Sequence, residues 1–277
     1  MARDYDALLL DLDGTLLTSD ERVHPESARA LAEAREAGVR VMVVTGRSTV
    51  ATLPVLAELD LDSRSVIFNG AAVWCPQESR LVEERTLSNR TVARLLAWGR
   101  ETGDLTIVMT ADRKLAADPR DPAEERALDG LTGVEIVGRD ELVSEYVIRT
   151  TFLTSRATDS AAYADEIERH VAHPVYSTHF PLSVLPRHRA SPMVAVDVHP
   201  PCAGKAEALR VLEETYGIPP GRVVAVGDAT NDGPMISRAG LGVAMGNAME
   251  ELKRIADRVI GHHDDGAIAG LIRELFT

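Results

Sequence analysis

The sequence predicts an α/β protein in which a doubly wound parallel sheet is interrupted by a second, inserted α/β domain. Three observations predict it. Continuous apolar runs alternate with helical segments over about the first 75 residues. The same rhythm returns over about the last 85. The stretch between, residues 83–189, has more amphipathic strands and more loops. Uninterrupted apolar strands alternating with helices imply a parallel sheet covered on both faces.

Taken in order, ALLL (7–10) is a short buried strand. PESARALAEAREAG (25–38) is a helix, with Pro25 suited to its first turn and Gly38 to its end. VRVMVV (39–44) is a strand and 48–59 a second helix. In VIFNGAAVW (66–74) the Asn69-Gly70 pair between apolar runs signals a hairpin. The insert offers a helix at 91–101, strands at 105–110, 134–138 and 146–154, and a helix near 158–170. MVAVDV (193–198) and RVVAV (222–226) read as core strands, with a helix across 204–216 between them. The expected core is therefore 1–82 with 190–277, Rossmann-like in its winding, and the inserted domain is 83–189.

A chain of 277 residues is long enough for two domains, each with a core. Its net charge of −13 argues against non-specific nucleic-acid or anionic-membrane binding. It leaves anionic small molecules open, because a bound cation inverts the local field. Cys75 and Cys202 form no CxxC and read as inert, which fits a reducing cytoplasm. MARDYD has no signal-peptide character, and no run reaches the roughly 18 apolar residues of a membrane span. No obligate protein partner is evident.

In an open parallel sheet, ligands bind beyond the carboxyl ends of the strands. After ALLL comes Asp11-Leu12-Asp13-Gly14-Thr15, after VRVMVV comes Thr45-Gly46-Arg47-Ser48, and after RVVAV comes Gly227-Asp228-Ala229-Thr230-Asn231-Asp232. Lys205 lies in the first turn after MVAVDV. One such segment is an ordinary strand-to-helix turn, where Asp, Asn, Thr and Gly serve as caps. Three together supply four aspartates, which would repel one another without a cation among them. Oxygen donors without a Cys/His set favour Mg²⁺ over Zn²⁺. An EF-hand counted from Asp11 fails, with Leu16 where Gly is needed and Arg22 where Glu is needed. Asp11 and Asp13, two apart on an extended chain, point the same way, so one carboxylate can attack while the other moves protons. Thr45 and backbone N–H groups suit phosphoryl oxygens, and Lys205 suits the charge that develops there.

The DLDGT run, Thr45 of VVTGR, Lys205 and GDATND resemble the four ordered motifs of the haloacid dehalogenase superfamily. FNGA (68–71) and GLGVAMGNAMEELKRIADRVI (240–260) resemble its Cof-type branch, which carries a large α/β cap between the second and third motifs. The insert matches that cap in position and size. The resemblance implies a Mg²⁺-dependent phosphatase acting on a small phosphomonoester, a sugar phosphate first. It implies Asp11 as nucleophile, Asp13 as acid and base, and Thr45 and Lys205 on the phosphate. Metal ligation would come from Asp11, the Asp13 carbonyl and Asp228, with Asn231 and Asp232 supporting the metal's outer shell or orienting Lys205. Specificity would lie in the cap, closing over the core. Departures from the family pattern are Ala206 after Lys205, Ala229, and Gly233. Alternatives are a phosphomutase and a non-enzymatic phosphometabolite-binding regulator on the same fold.

Other residues carry weaker signals. Gly46, Arg47, Asn69 and Asn231 are candidate substrate contacts, with a strand-end ion pair and a hairpin turn as competing roles for Arg47 and Asn69. His262-His263-Asp264-Asp265 reads as a solvated loop and helix cap in preference to a metal site. PRHR (186–189) reads as a solvated hinge; it and His179 are minor candidates for an anionic substrate. Trp74 and Trp98 read as packing residues, and GLGVAMG (240–246) as a strand-end turn.

Overall fold

A computed structural model describes residues 4–143, 145–201 and 204–276. Along the first part of the chain run β1 (Ala7–Leu10), α1 (Pro25–Glu36), β2 (Arg40–Val43), α2 (Thr49–Glu58), β3 (Ser65–Ile67), β4 (Ala72–Cys75) and β5 (Arg80–Glu84). Then come α3 (Asn89–Thr102), β6 (Leu105–Met109), β7 (Lys114–Ala117), α4 (Pro122–Ala127), β8 (Val134–Val137), β9 (Arg149–Thr154), α5 (Ser160–Val171), β10 (Tyr176–Pro181) and β11 (Val194–His199). The last part holds α6 (Glu207–Tyr216), β12 (Val223–Gly227), α7 (Gly233–Ile236), β13 (Leu241–Ala244), α8 (Glu250–Ile255), β14 (Arg258–Val259) and α9 (Ala267–Phe276).

The chain divides into two compact units. One comprises the described residues of 1–47, 52–83 and 204–277. Its five-stranded sheet has the order β14-β13-β12-β1-β2, with every pairing parallel. Leu8, Leu9, Val41–Val44, Val223–Val226 and Val243 are fully buried in its core, as continuous apolar strands of a covered parallel sheet must be. α1 begins as its sequence directs: Pro25 needs no amide partner, and His24 accepts a bond from Glu26 N. β3 and β4 form the expected hairpin, in register Ile67 opposite Ala72. Asn69 takes the left-handed conformation (φ 53°) that asparagine tolerates better than most residues. GLGVAMG is largely strand, not turn, because Gly242 lets β13 lie against the Ile236 carbonyl, where a Cβ would come within 2.4 Å.

The other unit comprises 48–51 and the described residues of 84–203. Its six-stranded sheet runs β10-β11-β9-β6-β7-β8, antiparallel except for β7 beside β8. α3 and α5 pack together on this sheet. Ser88 caps α3 by accepting from Thr91 N, and Gly103 ends it in the left-handed region. Trp98 is buried and donates to Tyr163 Oη at 3.3 Å, so it packs as expected. The run at 193–198 is not a core strand: as β11 it lies between β9 and β10, so 190–201 belong with this unit. A strand buried on both faces reads the same whether its neighbours are parallel or antiparallel.

Candidate active site

Register brings the carboxylates together. Leu10 lies opposite Val226 on one side and Val43 on the other. The residues that follow these strands therefore emerge side by side, with strands about 4.8 Å apart. Asp11 leaves β1 with its amide bonded to Val226 O, and Thr45 N bonds Val66 O. Both side chains are buried.

Lys205 is the electrostatic centre. It sits in the turn before α6, is 2 % exposed, and donates from Nζ to Asp11 Oδ1 (2.7 Å) and Asp232 Oδ1 (2.6 Å). Asp232 Oδ2 in turn accepts from the amides of Asp228 and Ala229, both at 3.0 Å, which fixes the loop after β12. Asp228 accepts from Thr15 Oγ1 at 3.3 Å. Gly14 (φ +73°) permits this approach, since a Cβ there would meet Asp228 Oδ2 at 2.4 Å.

Ligand atoms of Asp11, Asp228 and Asp232 all lie within 4.8 Å of one another. Burial lifts the Asp11 carboxyl well above its ordinary range; Lys205 opposes this, and the neighbouring aspartates add to it. Burial, with Asp232 and Asp13 adding and Lys205 opposing, pushes Asp228 up to about 7. Burial works against the Lys205 cation, but Asp11 and Asp232 outweigh it and hold its pKa above that of an ordinary lysine. One lysine thus serves a three-carboxylate cluster that still resists full ionisation. Such an all-oxygen, electron-rich set fits a hard divalent cation.

Asp13 stands apart from that cluster. Its side chain is half exposed and accepts a fork from Arg47, Nε to Oδ2 at 2.8 Å and Nη2 to Oδ1 at 2.5 Å. Arg47 N donates to Thr45 Oγ1 at 3.1 Å, which leaves the Thr45 hydroxyl proton for another acceptor.

A family model described as haloacid dehalogenase-like hydrolase matches residues 8–272. The chain belongs to that family. It is 30% identical to the putative phosphatase YkrA of Bacillus subtilis, over 98% of both chains. It is 28% identical to the pyridoxal phosphate phosphatase YbhA of Escherichia coli, over 96% of both. A HAD/Cof-like hydrolase from Plasmodium vivax shares the fold with TM-score 0.82 at 24% identity, covering 99% of this chain and 96% of that one. As a member of the haloacid dehalogenase-like hydrolases, the chain is an enzyme of the phosphatase class.

Within this hydrolase, the remaining predicted residues are placed as follows. Asn69 is buried, and its Oδ1 accepts from Asn231 Nδ2 at 3.0 Å. The Asn231 amide is thus turned to Asn69. A Cβ at Gly46 would sit 3.0 Å from Asn69 Oδ1, so Gly46 is where the two loops meet. His179 bonds Ser160 Oγ at 3.0 Å. Cys75 is a buried free thiol; Cys202 lies outside the described residues. Among the described residues no helix is long and apolar enough to cross a membrane. Sequence reasoning missed Asn247, which donates from Nδ2 to Gly14 O (2.7 Å) and accepts from His263 N (3.0 Å), bracing the turn beside Asp13. Its signal was a polar residue in the turn after β13.

Proposed function

We propose that the chain is a Mg²⁺-dependent phosphomonoesterase that hydrolyses small phosphorylated metabolites, sugar phosphates first, through an aspartyl-phosphate on Asp11. One observation carries the reading. Lys205 binds Asp11 by Oδ1 alone and so leaves Oδ2 to attack, with a second carboxylate, Asp13, two residues on.

Asp11, Asp228 and Asp232, with the Asp13 carbonyl, are the groups proposed to hold or support Mg²⁺. When bound, the ion screens the phosphoryl charge from the Asp11 carboxylate and organises in-line geometry. The chain's residues do the rest. Asp11 Oδ2 forms a bond to phosphorus as the bond to the leaving oxygen breaks, and Asp13 gives that oxygen a proton. Asp13 then takes a proton from water as the water oxygen attacks phosphorus and the Asp11–phosphorus bond breaks. Phosphate leaves and both carboxylates return to their starting states. The Thr45 hydroxyl and the Lys205 ammonium donate to phosphoryl oxygens. Gly46, Arg47, Asn69 and Asn231 line the rim where the rest of the substrate is held.

The all-oxygen donor set supports a substrate held as an anion on a cation-loaded site, which the charge of −13 leaves open. The class is supported by a relative named for pyridoxal phosphate, a small phosphomonoester. The test is phosphate release from sugar phosphates, pyridoxal phosphate, nucleotides and an aryl phosphate, with Mg²⁺ or EDTA. Asp11→Asn is expected to lower turnover by more than about 10³-fold, with substrate still bound. Mg²⁺-independent turnover, or turnover retained in Asp11→Asn, would overturn the mechanism. An isomerised phosphate in place of free phosphate would overturn the hydrolytic outcome.

A further inference from the structure

In the His262-His263-Asp264 run His262 caps a short helical turn, as its sequence suggests, but the run is not wholly solvated. His262 and Asp264 are half exposed, but the His263 side chain is only 12 % exposed and turned inward. Its Nδ1 lies 2.7 Å from Leu17 O. A carbonyl only accepts, so Nδ1 carries the proton, and in the neutral ring Nε2 carries a lone pair. His262 Nδ1 accepts from Asp264 N at 3.3 Å, so in the neutral ring its lone pair is spent on that amide and would have to turn from it to take an ion. Asp264 Oδ2 lies 3.6 Å from His262 Nδ1 and 3.9 Å from His263 Nε2. These distances are too long for hydrogen bonds.

The carboxylate is held from outside the run. Ser19 N donates to Oδ1 at 2.7 Å and Ser19 Oγ to Oδ2 at 2.8 Å, which keeps Asp264 below the usual carboxylate range. The rings lie 4.5 Å apart, centroid to centroid. One ligand atom from each of His262, His263 and Asp264 lies within 4.8 Å of the other two. Ligand atoms around a tetrahedral ion with bonds of about 2.0–2.1 Å stand about 3.4 Å apart, so the two nitrogen–Oδ2 separations close with shifts of a few tenths of an ångström. A ligating histidine that gives its other N–H to a backbone carbonyl is the arrangement that fixes tautomer and ring orientation at metal sites.

We propose that His262 Nδ1, His263 Nε2 and Asp264 Oδ2 form a second cation site, distinct from the aspartate cluster. Two imidazoles select a borderline transition ion, Zn²⁺ or Co²⁺, and reject Mg²⁺. The exposed side of the site leaves a position for water. Occupancy would tie the 262–264 run to the turn at Leu17–Ser19, which continues from DLDGT.

The test is a Co²⁺ titration of tag-free, full-length protein in excess Mg²⁺, read by visible absorption and equilibrium dialysis, with Zn²⁺ as competitor. One equivalent with the intense bands of four-coordinate Co²⁺, displaced by Zn²⁺, is expected. His262→Ala and His263→Gln should each weaken it more than about tenfold, since even an outer-shell partner costs that much. Asp228→Asn should leave it unchanged. His262 is exposed enough for its alanine variant to keep the fold, so a lost site there is not a folding failure. No saturable binding, binding indifferent to His262→Ala, or binding abolished by Asp228→Asn would each overturn the proposal.

Discussion

Lys205 shows how a single buried cation decides the electrostatics of its surroundings. It touches two carboxylates that are themselves almost wholly buried. Taking away one partner of such a group leaves uncompensated charge in a low-dielectric site, which costs about 3–5 kcal/mol. Lys205→Met is therefore expected to destabilise the metal-free protein by about 3 kcal/mol in urea unfolding. Adding Asp11→Asn to Lys205→Met should restore part of that loss, because it removes one of the stranded charges. A loss under about 1 kcal/mol would show that the carboxylates simply take up protons in place of the lysine. Asp11, Asp13, Asp228 and Lys205 were legible in the sequence because each follows, or sits near, an apolar run at a fixed offset. Their partners were not. That Arg47 would clasp Asp13, Thr15 reach Asp228, or Asn231 turn to Asn69 depends on loop paths that residue types do not encode.

At the level of elements, the sequence marks where strands and helices occur better than which sheet they join. α1, α2, β2 and β12 fall where periodicity and end signals put them. β11 does not, since its apolar run gives no sign that both neighbours are antiparallel. β5, β7 and β10 escaped notice because they are short or only half buried. The second unit also hides a polar network inside its helices. Asp104, which precedes β6, is 2 % exposed and accepts from Tyr163 Oη and from both Nε (3.0 Å) and Nη2 (2.8 Å) of Arg156. Burial pushes the Asp104 carboxyl up, but bonds from Arg156, Thr102, Thr154 and Tyr163 outweigh it and hold it at about 2. A depressed carboxylate stabilises the fold above its unfolded value, 3.8, and loses that contribution as pH falls through about 2. Arg156→Ala should cost about 2 kcal/mol at pH 7, tempered by the partial exposure of the arginine. The difference from wild type should shrink between about pH 4 and pH 2, as followed by chemical denaturation. A pH-independent difference would mean that Arg156 contributes packing and not charge.

At the scale of the whole molecule, stability should depend on pH and on divalent cation together. Asp228 holds its proton up to about 7 in the fold, against 3.8 as its ordinary value. Between these values the folded chain binds more protons than the unfolded chain, so stability falls as pH rises through the window. Asp11, raised for the same reason of burial, works in the same direction. Buried His199, pushed down to about 3, works oppositely, but only below its ordinary value of 6.5. The clean comparison is therefore between pH 6.5 and pH 8. In EDTA, wild type should melt at a lower temperature at pH 8 than at pH 6.5, and Asp228→Asn should flatten that difference. A cation that binds only the ionised carboxylates stabilises by mass action, and it has no proton to displace at pH 8. Mg²⁺ should then raise the melting temperature of wild type more at pH 8 than at pH 6.5. An equal Mg²⁺ increment at both pH values, or one that survives in Asp228→Asn, would separate ion binding from the aspartate cluster. The four strand-end aspartates would then be a cost of the fold that some other group offsets.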